Sequence, residues 1–213
     1  MKVGIIGSAA VGQTLAKAFS SEGYEVMLGT RNTSKKDIVD FNNETKIDIG
    51  TFDETAKFGN LLVICVKGSV AKEALQLAGK ENIAGKIIID TTNPISDKPP
   101  VNGVLNYFTD INFSLMEELQ KEFPDARFVK AFNSVGNLMM YKPKLDAMPT
   151  MFICGNDEAA KEAVSDLLAT FGWETADMGK AEAARAIESL CALWCIDGFL
   201  KNDWMHAFKL LKV

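Results

Sequence analysis

The 213-residue chain carries 23 lysines and arginines against 28 aspartates and glutamates, a net charge of −5, and 47% hydrophobic residues. That length suits one α/β unit with a modest addition, the apolar content is enough to bury a sizeable core, and scattered basic residues exclude the footprint of a nucleic-acid or anionic-membrane partner. Four cysteines without a CxxC spacing and a single histidine, His206, argue against a metal site.

The first strand, "KVGII", begins at residue 2 and leaves no room for a signal or transit sequence, and no apolar run reaches the roughly 20 residues a membrane span requires, so a cytoplasmic protein is expected. Short apolar runs then alternate with helix-period segments: "VGQTLAKAFSSEG", "YEVML", "KIDI", "LLVICV" before "SVAKEALQLAG", and "KIIID". This rhythm, with continuous apolar strands, predicts a parallel sheet covered on both faces. A turn-rich stretch, "NPISDKPPVNG", leads into a helix "SLMEELQKEFP" and a strand "ARFVKAF"; "TMFICG", the helix "NDEAAKEAVSDLLATFG" and "WETADMG" follow. From Lys180 to Val213 the sequence reads as helix, apolar on more than one side through Ala184, Ile187, Leu190, Leu193, Trp194 and Ile196, and therefore buried between surfaces. The expected fold is a Rossmann-type, doubly wound, mainly parallel sheet over residues 1–178, with a C-terminal helical segment, 179–213, packed on it.

Between the first strand and its helix lies Gly7-Ser8-Ala9-Ala10-Val11-Gly12, a GxGxxG pattern with alanine at its second glycine. In that context the free N–H groups of Ser8, Ala9, Ala10 and Val11 and the helix dipole suit a pyrophosphate, with Gly7 making the tight turn and Gly12 allowing close helix packing. Ala9 is the smallest possible intrusion on the anion. Thr30 and Arg31 lie 18 and 19 residues beyond Gly12, where an NAD-binding fold places a carboxylate. Arginine makes bidentate bonds to phosphate and stacks on adenine, Thr30 and Asn32 add neutral hydrogen bonds, and Lys35 and Lys36 add positive potential, which favours NADP(H) over NAD(H).

The chain has no Tyr-x-x-x-Lys and no assembled Ser/His/Asp set, which agrees with chemistry carried by a bound cofactor. Asn133 and Ser134 follow a strand at the end where ligands bind; they either fix the nicotinamide or acceptor ring or make an ordinary turn. Lys67 is a site residue or a solvated loop lysine. Arg185 and Glu188 pair with each other or with the loop. Cys191 and Cys195 share a helix face, where they pack, or form a reversible disulfide. His206, read as lying on an amphipathic helix, is a structural residue or, less simply, a catalytic one. Met139, Met140, Tyr141, Trp194 and Trp204 are core or dimer contacts.

Taken in order, the glycine loop, "GTRN", "LLVICVKG", "IIIDTTNPI", "VKAFNSVG" and "ARAIESLCALW" resemble the deazaflavin (coenzyme F420)-dependent NADP oxidoreductase family and the related cytosolic domain of the six-transmembrane ferric reductases. The resemblance spans nearly the whole chain. It implies a Rossmann-type NADP domain, a flavin or deazaflavin acceptor, a small helical C-terminal part and a homodimer through the C-terminal helices. Position by position it implies Ser8 to Val11 at the pyrophosphate, Thr30, Arg31 and Lys35 at the 2′-phosphate, Val66, Lys67, Asn93 and Pro94 on the nicotinamide side, and Ala131 to Val135, including Asn133, as the floor. Two departures stand out: Asn133 where deazaflavin-reducing members often carry histidine, and Gly136 where they carry proline. Two other functions remain open: reduction of a small carbonyl or imine, and a non-catalytic NADP(H)-sensing module.

Overall fold

The computed structural model describes residues 1–212. Strand β1 (Lys2–Ile6) runs through helix α1 (Ala10–Ser21) into β2 (Glu25–Gly29), and α2 (Lys36–Thr45) leads to β3 (Asp48–Gly50). After α3 (Phe52–Phe58), β4 (Leu61–Ile64), α4 (Ala71–Ala78), the short α5 (Lys80–Ile83) and β5 (Ile87–Asp90) continue the alternation. A long connection then reaches α6 (Leu115–Glu122) and β6 (Arg127–Lys130), followed by β7 (Thr150–Gly155), α7 (Glu158–Thr170), β8 (Glu174–Asp177) and α8 (Ala184–Lys201).

The eight strands lie in the order β3-β2-β1-β4-β5-β6-β7-β8. All neighbours are parallel except β6 and β7, so the mainly parallel, doubly wound sheet expected from the sequence is the fold found. The continuous apolar runs are explained by coverage of both faces. In β4, Leu61 and Val63 join one core cluster while Leu62 and Ile64 join the other, and β1 divides in the same way, with Val3 and Ile5 opposite Ile6. The winding reverses between β1 and β4, and in such sheets ligands bind in the crevice beyond the carboxyl ends at that point.

Besides the one-turn α5, two helices lie where the sequence reading placed none. Helix α2 buries only Ile38 and Phe41, and α3 is a seven-residue helix started by a capping box in which Thr51 and Glu54 satisfy each other's backbone N–H groups. The expected C-terminal helix is shorter than read. It stops at Lys201, because Asn202 takes a left-handed cap conformation at φ 56° and the chain then turns back. The following residues run alongside the start of β7, where Thr150 N–H donates to the Phe208 carbonyl at 2.9 Å and Leu210 N–H donates to Thr150 Oγ1 at 3.0 Å. His206 is therefore not on a helix: its ring stacks on Trp194 with centroids 5.0 Å apart, and Trp194 Nε1 donates to its carbonyl. Val213, the last residue of the expected helix, lies outside the described residues.

Candidate cofactor cleft and acceptor side

The loop after β1 is shaped by close approach. Gly7 has φ 124°, and a Cβ there would lie 2.5 Å from the Cys65 carbonyl oxygen at the end of β4. A Cβ on Gly12 would run into the carbonyl oxygen of Gly7, so α1 can sit this close to β1 only with glycine there. Ala9 is different. It caps α1 with φ −80° and ψ −174°, an extended conformation open to any residue, so losing the middle glycine leaves the backbone path unchanged. Helix α1 has neither a side-chain cap nor an acid in its first turn, which leaves its first N–H groups and its dipole to an anion. Gln13 Nε2 holds the loop by donating to the Ser8 carbonyl at 3.1 Å.

This loop forms one wall of a cleft of about 500 Å³ that also takes in Thr30, Arg31, Asn32, Lys35, Val66 and Lys67. Thr30 is buried at the end of β2, its N–H donating to the Gly50 carbonyl and its Oγ1 accepting from Asn32 N–H. The Asn32 side chain caps the next turn at Ser34 N–H, so the segment after β2 is a fixed bracket. Arg31 projects from it exposed and, among the described residues, without an ion-pair or hydrogen-bond partner. Lys35 is instead paired with Asp37 at 2.8 Å on the surface. The acid lining this cleft is Glu73, on α4 rather than at the end of β2. Cys65 at the cleft base is a neutral thiol, since burial pushes it up to about 12.

A second cavity of about 260 Å³ shares Cys65, Val66 and Lys67 with the first and is lined further by Val11, Gly68, Thr91 to Asn93 and Ile95 to Asp97. Asn93 thus lies on its wall while Pro94 is buried beneath. Ala131, Asn133 and Ser134 do not open onto either cavity. The chain turns sharply after β6, with Phe132 at φ 62°, and Asn133 ends only 3% exposed. Its amide nitrogen donates to Asn93 Oδ1 at 3.0 Å and to the Ile187 carbonyl at 2.9 Å, and Asn93 returns a bond to the Asn133 carbonyl at 2.7 Å. The residues expected as the floor lie behind the cavity wall, and Asn133 is tied to that wall by its hydrogen bonds with Asn93. Ala10 and Gly12 also lie off the cavity walls, as parts of the helix start.

Arg185 and Glu188 do not pair with each other. The Arg185 fork binds Glu117, with Nε 3.0 Å from Oε2, and Glu117 also accepts from Ser114 N–H at the start of α6. Glu188 is buried and accepts from the N–H groups of Leu115 and Met116, both at 3.0 Å. It also belongs to a buried cluster with Asp90 and Lys130 that the sequence reading did not find. A lysine inside "FVKAF" and an aspartate closing "IIID" were the available signals, because charges in strands covered on both faces are rarely buried unpaired.

Fold and cleft together define a Rossmann-type protein with a cleft at the sheet's switch point. The family model described as "NADP oxidoreductase coenzyme F420-dependent" matches residues 2–94. A crystal structure of an Arthrobacter sp. FB24 protein, assigned there by inference to the F420-dependent NADP-reductases, superposes with a TM-score of 0.93 at 30% identity and covers 100% of both chains. The chain is also 28% identical over 190 residues to the metalloreductase STEAP3 of Rattus norvegicus, covering 89% of this chain and 36% of that one. With the F420-dependent NADP reductase of Methanocaldococcus jannaschii it shares 27% over 150 residues, 66% of this chain and 62% of that one. The chain belongs to the coenzyme F420-dependent NADP oxidoreductase family. It spans about a third of the length of the metalloreductases it matches, and among the described residues no helix is long and apolar enough to cross a membrane.

Proposed function

We propose that the protein transfers hydride between NADPH and a flavin or deazaflavin acceptor. The observation that carries this reading is that a cleft lined by Arg31 and a second cavity at the carboxyl ends of β4 and β5 share Cys65, Val66 and Lys67 in their walls. The residues fit the cofactor. Gly7 and Gly12 leave the space a phosphate loop needs, the start of α1 offers N–H groups to the pyrophosphate, and Arg31 offers a fork to the 2′-phosphate. When bound, NADPH supplies the hydride. The protein binds it at the adenosine end, presents the Thr91–Asn93 lip at the other, and keeps the wall between dry with the neutral Cys65 thiol and Val66. The STEAP3 and F420-dependent relatives carry reductase names, which supports a redox acceptor.

The test is a fluorescence titration with NADPH and NADH, followed by stopped-flow mixing of the NADPH complex with F420, FMN or riboflavin. Preference for NADPH with oxidation by one of these acceptors is the expected result. Tight NADPH binding with no oxidation by any of them would overturn the hydride-transfer reading in favour of another substrate or a sensor.

A second copy of the chain is the partner this reading includes. Leu193, Phe199 and Leu200 on α8 are exposed, as are Val101 and Val104 of the loop that rests against Leu200, and an apolar patch of this kind suits an interface. Light scattering at micromolar concentration is expected to give twice the chain mass, and Leu193→Glu is expected to give the single mass. The four free cysteines suit a cytoplasmic setting.

A further inference from the structure

The ammonium of Lys130, at the end of β6, is wholly buried. It lies 2.7 Å from Asp90 Oδ2, 2.8 Å from Glu188 Oε1 and 2.8 Å from the Thr92 carbonyl oxygen. The ammonium thus sits in ion-pair contact with both carboxylates and donates its hydrogen bond to the Thr92 carbonyl. Asp90 in turn accepts from Thr92 N–H at 2.8 Å and from its hydroxyl at 2.6 Å. Two carboxylates against one ammonium leave an excess negative charge, which the start of α6 answers through the Leu115 and Met116 N–H groups on Glu188. Burial works against the charged lysine, yet Asp90 and then Glu188 more than offset it and hold Lys130 above the ordinary lysine range.

An ionic cluster of this kind is a poor way to add stability, because apolar residues of similar volume often do as well or better. Its position gives it another use. Asp90 closes β5, Thr92 and Asn93 form the wall of the second cavity, and Glu188 belongs to α8. The neighbouring tie, from Asn93 through Asn133, reaches the carbonyl of Ile187, one residue before Glu188. Two polar links therefore run from one cavity wall to one turn of the C-terminal helix.

We propose that Lys130 is a positioning residue for hydride transfer, which with Asp90 and Glu188 locks the Thr92–Asn93 wall to α8 so that nicotinamide and acceptor meet in one geometry. The inference rests on the second cavity being the nicotinamide side. An ammonium on three fixed acceptors has a single seat, whereas an apolar side chain there would leave the Thr92 carbonyl without a donor and the wall free to shift.

Two variants test it. Lys130→Met removes the ammonium, and Thr92→Val keeps the shape of the wall while deleting its hydroxyl bond to Asp90. For each, calorimetry with 2′,5′-ADP reads the adenosine end, the fluorescence lifetime of bound NADPH reads the nicotinamide end, and a single turnover of the bound NADPH with the working acceptor reads the chemistry. The expected result is 2′,5′-ADP affinity within about two-fold of the parent, a nicotinamide lifetime shortened toward that of free NADPH, and a hydride rate per bound NADPH about ten-fold lower or worse. Unchanged lifetime and rate in the variants would overturn the inference, as would parallel loss of 2′,5′-ADP affinity, which marks general loosening. If Lys130→Met does not fold, Thr92→Val decides. If the parent reduces no acceptor, the proposed function fails while the lifetime still decides the role of Lys130.

Discussion

The indole of Trp194 occupies the space that a side chain at position 136 would need: a Cβ built on Gly136 would lie 2.7 Å from Trp194 Cη2 and 3.3 Å from Cζ2. The backbone of Gly136, at φ −72° and ψ 152°, is open to any residue and suits proline, so contact with α8 and not conformation is what demands glycine. This accounts for glycine at the position where the resemblance implies proline. Gly136→Ala is expected to lower stability by about 1–3 kcal/mol through overpacking. Trp194→Phe should relieve much of that cost, and a urea double-mutant cycle showing strictly additive effects would refute the pairing.

Arg31, which lines the cleft, has no ion-pair partner among the described residues, whereas Lys35 is already engaged by Asp37. Arg31→Ala is therefore expected to weaken NADPH binding by about ten- to a hundred-fold, the worth of charge-assisted hydrogen bonds, and NADH binding by far less. Lys35→Ala should cost NADPH only about two- to three-fold, since Lys35 is exposed, screened and already paired with Asp37. Titrations with both nucleotides check this, and equal losses for NADPH and NADH in Arg31→Ala would remove the 2′-phosphate assignment.

The two ends of the glycine loop tolerate change differently. Gly12→Ala drives a methyl group into the Gly7 carbonyl oxygen, and is expected to destabilise the protein by at least about 1–3 kcal/mol and to abolish nucleotide binding. Ala9→Gly relieves no strain, because Ala9 already sits in an ordinary extended conformation. It should leave NADPH affinity equal or slightly tighter, at a stability cost of about 0.5–1 kcal/mol at most from added chain entropy. Thermal melts and NADPH titrations of the two variants read both effects, and a large loss of affinity in Ala9→Gly would mean that the loop does not face the pyrophosphate.

What the sequence showed and what it hid divide along physical lines. Strands β1, β4 and β5 were visible because burial on both faces writes itself locally as "KVGII", "LLVI" and "IIID". The phosphate loop was visible because its glycines answer constraints within a few residues. Helices α2 and α3 were hidden because each rests on few buried side chains, although Thr51 and Glu54 spell out the start of the second. The Lys130 cluster was hidden because its members stand at positions 90, 130 and 188 and meet only when β5, β6 and α8 pack. The tie from Asn133, read as fixing a ring or making a turn, to Asn93 and Ile187 was hidden for the same reason: these partners are distant in the chain.

The tie between Arg185 and Glu117 gives acid stability a definite window. The Arg185 hydrogen bonds, with help from the Ser114 cap and against partial burial, hold the Glu117 carboxyl down at about 2 from an ordinary 4.5. A carboxylate whose folded value is depressed stabilises the fold fully above its unfolded value, and that contribution is lost as pH falls through the folded one. The bond fastens the start of α6 to α8, so its loss loosens the C-terminal helix from the sheet. Because Arg185 remains partly exposed, solvent screening limits its worth to about 1 kcal/mol, the upper end for such pairs. Arg185→Gln is expected to be less stable than the parent by about that amount at pH 7. The difference should shrink between pH 4.5 and about 2 and vanish below. Urea unfolding of both proteins across that range measures it, and a gap that persists unchanged at the acid end would show that Arg185 stabilises α8 by packing and not by its charge on Glu117.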